Sequence, residues 1–294
     1  MVEWTLEWFG TSTFRVRAGG WTLFFDAYVD RLPGLQPSGL SSSQVDEADF
    51  VFVSHAHFDH LYGADEIARR TGATVVASPE SIGCLRASGV QESQLLKVTG
   101  GETVDCERSV RVRVLPALHS CLFAHSEGDC AASCLGDLGV SAQARKEAVA
   151  GLFDLMGAAP PPAGPVLRDM NAKCSDHDGG QLAYLLTTPE GSLLVSGSAG
   201  YWKGIFTGLR PDVALLSLAG RPNVDGEPFQ GSSADYVREQ ARLPRAGRVA
   251  FCHHDPLFPG QRWIDVSAAA AAVADDGTAD YFEMEYATPR PLFG

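Results

Sequence analysis

The chain has 294 residues, 45% hydrophobic and 20% charged, which is long enough to bury a multi-layer core and unlike a disordered or fibrous composition. Its 36 Asp and Glu against 23 Lys and Arg give a formal net charge of -13, which argues against extended nucleic acid as a partner and is still compatible with a local basic pocket for a small anion. Seven scattered cysteines make no secreted disulfide framework, and with neither a signal-like N-terminus nor an apolar run of about 18 residues, a cytoplasmic protein with no membrane partner is expected.

In chain order, Trp4–Phe9, Thr13–Arg17 and Trp21–Asp26 read as a β-meander punctuated by Gly10 and Gly19-Gly20. A loop rich in Pro, Gly and Ser (33–43) leads to the apolar run Asp49–Ser54, the pattern of a buried strand. Then come a helix over Ala64–Thr71, a strand over Thr74–Ala77, a helix over Ser81–Ala87 and an alternating strand over Val110–Leu115. This strand–helix alternation argues for α/β layering.

The stretch 121–177 breaks the rhythm and reads as an insertion over the active-site face of a single domain spanning residues 1–294. It holds one helix, N-capped by Ser141 and striped by Ala144, Ala148, Leu152 and Met156 up to Gly157, followed by a stiff Pro-rich segment over Ala158–Pro165. Strands then fall at Gln181–Thr187, Ser192–Ser196, Val213–Leu218, Arg248–Cys252 and Tyr281–Tyr286, with helices around Ser233–Ala241 and Val266–Ala274. The two halves are of similar make-up, which suits a two-sheet sandwich.

The chemistry concentrates in His55-Ala56-His57-Phe58-Asp59-His60, directly after the buried strand. Three histidines and an aspartate in six residues are more than packing requires. His55 and His57, two apart in an extended turn, can project to one side as imidazole ligands, while Asp59 and His60 project toward a second position about 3.5–4 Å away. Imidazole with a hard carboxylate suits Zn2+, one ion or two, with Mn2+ or Fe2+ as alternatives.

This run at the end of such a strand resembles the His-x-His-x-Asp-His signature of the metallo-β-lactamase superfamily. The resemblance covers most of the chain and implies an αββα sandwich with metals held between the sheet edges. Leu23–Asp26, the helix after His60 and Pro116-Ala117-Leu118-His119-Ser120 are also similar to the ascorbate-6-phosphate lactonase-like branch, which includes many uncharacterised bacterial relatives. By resemblance, His119 completes the first metal site with His55 and His57. The last ligand falls in Cys252-His253-His254-Asp255, where His253 is the choice and His254 a supporting donor or pocket residue.

One position departs from that pattern. Where relatives carry Gly-Asp-Thr or Gly-Asp-Ser, with the Asp bridging both metals, this chain has Ser196-Gly197-Ser198-Ala199-Gly200. One carboxylate, Asp59, then serves two cations, so the second position is expected to be weak or empty. Ser198 remains a candidate weak ligand or water holder, and Asp178 or Asp137 a candidate substitute. The change also argues against relatives that bind one iron through that Asp, and His57 argues against the oxygen reductases that carry Glu there.

The implied function is a metallo-hydrolase acting on a small-molecule ester, lactone, amide or phosphoester. A metal at His55, His57 and His119 lowers the pKa of its bound water from about 15.7 toward about 7, and the resulting metal-bound hydroxide is oriented by Asp59, with the second metal, or in its absence His254 or Ser198, stabilising the oxyanion. The competing readings are a degenerate member that binds metal or ligand without turnover and, less favoured for want of a basic exosite, a metallonuclease.

Several further features carry two readings. Tyr201, Trp202 and Phe206, with Cys121, Leu122 and Phe123, either form an apolar mouth or pack the insertion. His177 stands either at the pocket rim or in solvent, and Gly197–Gly200 either cradles a phosphate or makes a tight turn. The cysteines at 121, 130, 134 and 174 lack a Cys-x-x-Cys knuckle for structural zinc. Asp26 reads as a turn cap beside the metal site. A homo-oligomer is compatible with the sequence.

Overall fold

The computed structural model describes residues 3–18, 20–107, 109–121 and 129–293. Two seven-stranded sheets face each other. The first contains β1 (Thr5–Trp8), β2 (Phe14–Ala18), β3 (Trp21–Phe25), β4 (Phe50–Phe52), β5 (Thr74–Ala77) and β6 (Leu95–Lys97), with a last short strand, Arg290–Pro291, on the outer edge of β1. The second runs from β7 (Thr103–Asp105) and β8 (Arg111–Pro116) through Leu182–Thr187, Ser192–Ser196, Val213–Ser217 and Arg248–Cys252 to Asp280–Tyr281.

Both sheets are built alike. An antiparallel portion passes into a parallel one, at β3–β4 in the first sheet and at Ser192–Ser196 against Val213–Ser217 in the second. The parallel strands are apolar on both faces, as Val213–Ser217 shows by being buried at every residue, because helices cover the side turned away from the partner sheet.

Leu6, Phe14, Val16, Leu23, Phe25 and Phe52 of one sheet meet Val112, Val114, Leu182, Leu186, Val195 and Leu215 of the other in the central core. Behind the first sheet pack α1 (Phe58–Leu61), α2 (Ala64–Thr71), α3 (Pro79–Ala87), α4 (Ala142–Ala158) and α5 (Ala163–Lys173). Behind the second pack the helices Ser233–Arg242 and Ser267–Asp276. The four layers are the expected αββα sandwich. No helix among the described residues is long and apolar enough to cross a membrane.

Most predicted elements fall within one or two residues of their observed bounds. Differences sit where local pattern and tertiary context disagree. The Pro-rich stretch is stiff only to Pro162, because Ala163–Lys173 forms α5, whose Leu167 and Met170 dock under α1–α3. Tyr281–Tyr286 pairs as a strand only over Asp280–Tyr281, and the chain instead closes the first sheet with Arg290–Pro291. Leu95–Lys97 and Thr103–Asp105, three residues each, were too short to show a period.

Tyr184 ties the two sheets together. Its buried hydroxyl donates to the Val53 carbonyl at 2.6 Å, and the Val76 carbonyl stands 3.3 Å away, across the core from its own strand. Val53 lies two residues before His55, so the bond fixes the strand end that presents the histidines. Replacing Tyr184 by Phe should cost about 1–2 kcal/mol, read as a lowered denaturant midpoint with unchanged slope; an unchanged midpoint would show that the bond contributes nothing.

Candidate metal centre

The site lies at the carboxyl ends of strands from both sheets, the usual ligand position in parallel sheets. His55 follows β4, His119 follows β8, Ser198 follows Ser192–Ser196 and His253 follows Arg248–Cys252. Local conformation aims each side chain. His57 is the extended N-cap of α1, so the chain turns at once into a helical turn carrying Asp59 and His60. Gly63 (φ 104°) then starts α2 where any Cβ would lie 2.5 Å from the Ala27 carbonyl, a position only glycine fills.

Two trios of donor atoms converge, His55 with His57 and His119, and Asp59 with His60 and His253, each with its ligand atoms within 4.8 Å of one another. In the first, His55 Nε2 and His57 Nδ1 are 3.0 Å apart and all three rings stand edge to face. In the second, one Asp59 oxygen lies 3.0 Å from His253 Nε2 and 3.3 Å from His60 Nε2. These are all six histidine and aspartate ligands expected from the sequence, brought into the two groupings expected.

Ionisation suits the first trio to a cation, while in the second burial would lower His60 but Asp59 and Asp26 raise it to about 10, so an ion there has to displace its proton. Burial, with the surrounding imidazoles, holds His55 well below its usual value; burial and His119 bring His57 to about 3; burial lowers His119 as well. All three are therefore neutral donors. Burial alone would raise the Asp59 carboxyl, but His60 and His253 hold it well below the carboxylate range. Three neutral imidazoles beside a trio with one carboxylate is the donor chemistry of zinc or a similar divalent ion.

The support around the second trio is denser than the sequence indicated. Asp26, read as a turn cap, is a buried carboxylate that accepts from the Ser54 amide (2.7 Å), Ser54 Oγ (2.9 Å) and Ser12 Oγ (2.6 Å), and stands 2.7 Å from His60 Nδ1. A carboxylate on the far nitrogen of a ligating imidazole fixes its tautomer and raises its basicity. Gly197 closes over this cluster, where a Cβ would lie 3.0 Å from Asp26 Oδ2 and 3.2 Å from Ser54 Oγ.

Asp255 supports His253 indirectly, through the backbone of Thr11 and not through the imidazole. Its carboxylate accepts from the Thr11 amide (2.9 Å), Tyr286 hydroxyl (2.6 Å) and Arg31 guanidinium, while the His253 amide donates to the Thr11 carbonyl (2.9 Å). Thr11, Asp26 and His253 all hold left-handed backbone (φ 48°, 55° and 59°), which costs non-glycine residues energy and gathers at functional sites. No sequence motif announces these partners. The only local signal is an aspartate ending an apolar strand.

The remaining candidates separate. Ser198 lines the same cavity as His57, Asp59, His119 and His253, and its hydroxyl accepts from the Ser120 amide at 3.2 Å. His254 does not share that cavity. It stacks on Trp8 (5.0 Å), contacts Trp263 and lines a different cleft, because the left-handed turn at His253 sends consecutive side chains to opposite sides. The oxyanion-donor role expected for His254 is thus out of its reach, and the residue supports the fold through Trp8.

Of the proposed substitutes for the bridging carboxylate, the Asp178 carbonyl accepts from the Ala56 amide and its charge acts on His57 and His119, whereas the Asp137 carbonyl holds Arg221 at another face. Neither carboxylate belongs to a trio. His177 is three-quarters exposed. Tyr201 and Phe206 pack in the core behind the second sheet, and Trp202 is exposed; Leu122 and Phe123 lie outside the described residues. Cys130 donates to the Asp265 carbonyl and Cys174 packs behind the first sheet, so no cysteine zinc site forms among the described residues.

Residues 22–140 match the family described as the Beta-lactamase superfamily domain. Over the whole length, the chain superposes on Igni18, a metallo hydrolase from Ignicoccus hospitalis KIN4/I, with a TM-score of 0.65 at 20% identity and 99% of each chain covered. The chain has the metallo-β-lactamase fold. Among curated relatives, a UPF0173 metal-dependent hydrolase of Pyrobaculum calidifontis is 32% identical over 115 residues, 39% of this chain and 50% of that protein; one of Roseiflexus sp. is 30% identical over 122 residues, 41% and 50%. The metallo-β-lactamase-fold chain thus spans about half the length of the curated relatives it matches.

Asp26→Asn keeps the shape of the carboxylate but removes its charge from His60. Metal affinity at the second trio should fall about 10–100-fold while the first trio retains its ion, measured by equilibrium dialysis with elemental analysis. Two ions held with parental affinity would show that Asp26 does not orient the ligand.

Proposed function

We propose that this protein is a metal-dependent hydrolase of small molecules, with His55, His57 and His119 holding one divalent ion and Asp59, His60 and His253 a second. The observation that carries the reading is the pair of donor trios opening into one cavity through His57, Asp59, His119 and His253. Three protein ligands with an open side are the mark of catalytic rather than structural metal sites. The relatives named as metal-dependent hydrolases support the same reading, and the sequence likeness to the lactonase-like branch keeps lactones among the candidate substrates.

When bound, the ion, zinc in the first instance, supplies Lewis acidity and an activated water at neutral pH. The chain's own groups do the rest. Asp59 reaches the cavity with its carboxylate ionised, so it can accept a hydrogen bond from a nucleophile and orient it. The Ser198 hydroxyl already accepts from the Ser120 amide, leaving its own proton free to donate to the oxygen that gains charge during attack. Val149 and Leu152 of α4 line the cavity, so the 121–177 insertion serves as a wall that excludes water.

His57→Ala should lower kcat/KM on p-nitrophenyl esters by about 100-fold or more and remove one ion per chain, with circular dichroism unchanged. Chelation should abolish turnover and zinc restore it. Two bound ions without turnover on esters, lactones or phosphodiesters would favour a binding protein in which Ser198 in place of a bridging carboxylate has cost the chemistry.

A further inference from the structure

We propose that the cavity takes a small, neutral, largely apolar ester or lactone, and turns away substrates that carry a separate carboxylate or phosphate. This rests on the hydrolase reading above and specifies its substrate. The cavity beside the trios is about 230 Å³, smaller than the ~300–1,000 Å³ that encloses drug-sized ligands. Away from the donor atoms its apolar wall is Phe58, Val149, Leu152, Ala219, Leu257 and Phe258, and Ser120, Asp176 and Ser198 add polar groups.

Charge decides between substrate classes. No Lys or Arg lines this cavity among the described residues, and the sequence of residues 122–128 contains none. Arg145, one turn before Val149 on α4, and Arg221 are not part of the wall, although their charges act on Cys121, the residue after Ser120. In the hydrolase reading Asp59 is committed to an ion, so Asp176 is the free carboxylate at the cavity, and the whole chain carries a formal charge of -13. A carboxylate or phosphate remote from the reacting carbonyl would have to give up its hydration with no basic partner, whereas an alkyl chain gains by burial against these walls.

In the reaction, water adds through its oxygen to the carbonyl carbon, the acyl carbon–oxygen bond breaks, and the departing alkoxide takes up a proton. An ester gives an acid and an alcohol, and a lactone gives a hydroxy acid. Nothing is oxidised, and no co-reactant other than water is consumed. The product carries the negative charge that the walls disfavour, which promotes its release.

The test compares p-nitrophenyl butyrate and γ-nonalactone with p-nitrophenyl hemisuccinate and p-nitrophenyl hemiglutarate on zinc-loaded protein. The neutral substrates should exceed the anionic ones by at least about tenfold in kcat/KM. Leu152→Arg, at the half-buried face of α4, should narrow that ratio by raising turnover of the hemisuccinate. Val149→Lys provides a second placement should the first variant misfold.

Saturation-transfer NMR gives a readout independent of turnover: 2-hexanone should bind and 5-oxohexanoate should not. Comparable or better turnover of the anionic substrates overturns the neutral-substrate assignment and leaves the hydrolase standing. No turnover on any arm with both ions bound overturns the hydrolase and this proposal with it, and equal binding of the two ketones overturns the proposal alone.

Discussion

The carboxylate of Asp26, only 1% exposed, is the constraint around which the site is arranged. A buried carboxylate survives only if its oxygens are satisfied, and here the Ser54 amide, two serine hydroxyls and the His60 ring satisfy them. Each partner belongs to a different connection: Ser12 to the turn between β1 and β2, Ser54 to the exit of β4, and His60 to α1. Satisfying one buried charge therefore fixes three chain segments relative to one another. The placement of His60 in the second trio is a by-product of that satisfaction.

The same logic extends outward. The turn that supplies Ser12 also supplies Thr11, whose carbonyl receives the His253 amide and whose amide is held by Asp255. Asp255 is in turn neutralised by Arg31, with the side chains of both almost wholly buried. A buried pair of this kind contributes little net stability, because desolvation offsets the attraction, but losing one partner leaves an uncompensated charge. Its value here is positional. His253 sits in a left-handed turn that no isolated chain would favour, and the pair holds the turn there.

Much of this was legible in the sequence where one segment carries the whole signal. The run 55–60 announces its ligands because four chemically special side chains follow a strand that is otherwise entirely apolar. Helix α2 is readable from Ile67 and Ala68 facing in, Arg69 and Arg70 facing out, and Gly72 ending it. What could not be read depends on partners distant along the chain. Asp26 gains its meaning from His60 and Ser12, and His254 lost its expected role to a backbone angle one residue earlier. Helix α5 was hidden because a Pro-rich composition reads as stiff extended chain, while the apolar stripe of Leu167 and Met170 finds its partner only behind the first sheet.

The absence of a bridging carboxylate acquires a sharper meaning in this frame. The first trio offers three neutral imidazoles, so an ion there keeps nearly its full charge and its full power to polarise an oxygen. The second trio has the anionic Asp59 and, through His60, the charge of Asp26 behind it. Electrostatic support is thus distributed to one position rather than shared between two. Under the proposed function, an aspartate at position 198 would screen two ions from each other and soften the first, whereas a serine would leave the first position the stronger Lewis acid with a hydroxyl to offer the developing oxyanion. On that reading Ser198 would trade affinity of the ion pair for reactivity at a single ion, and an ion at the second trio would have to displace the proton that Asp59 and Asp26 favour on His60.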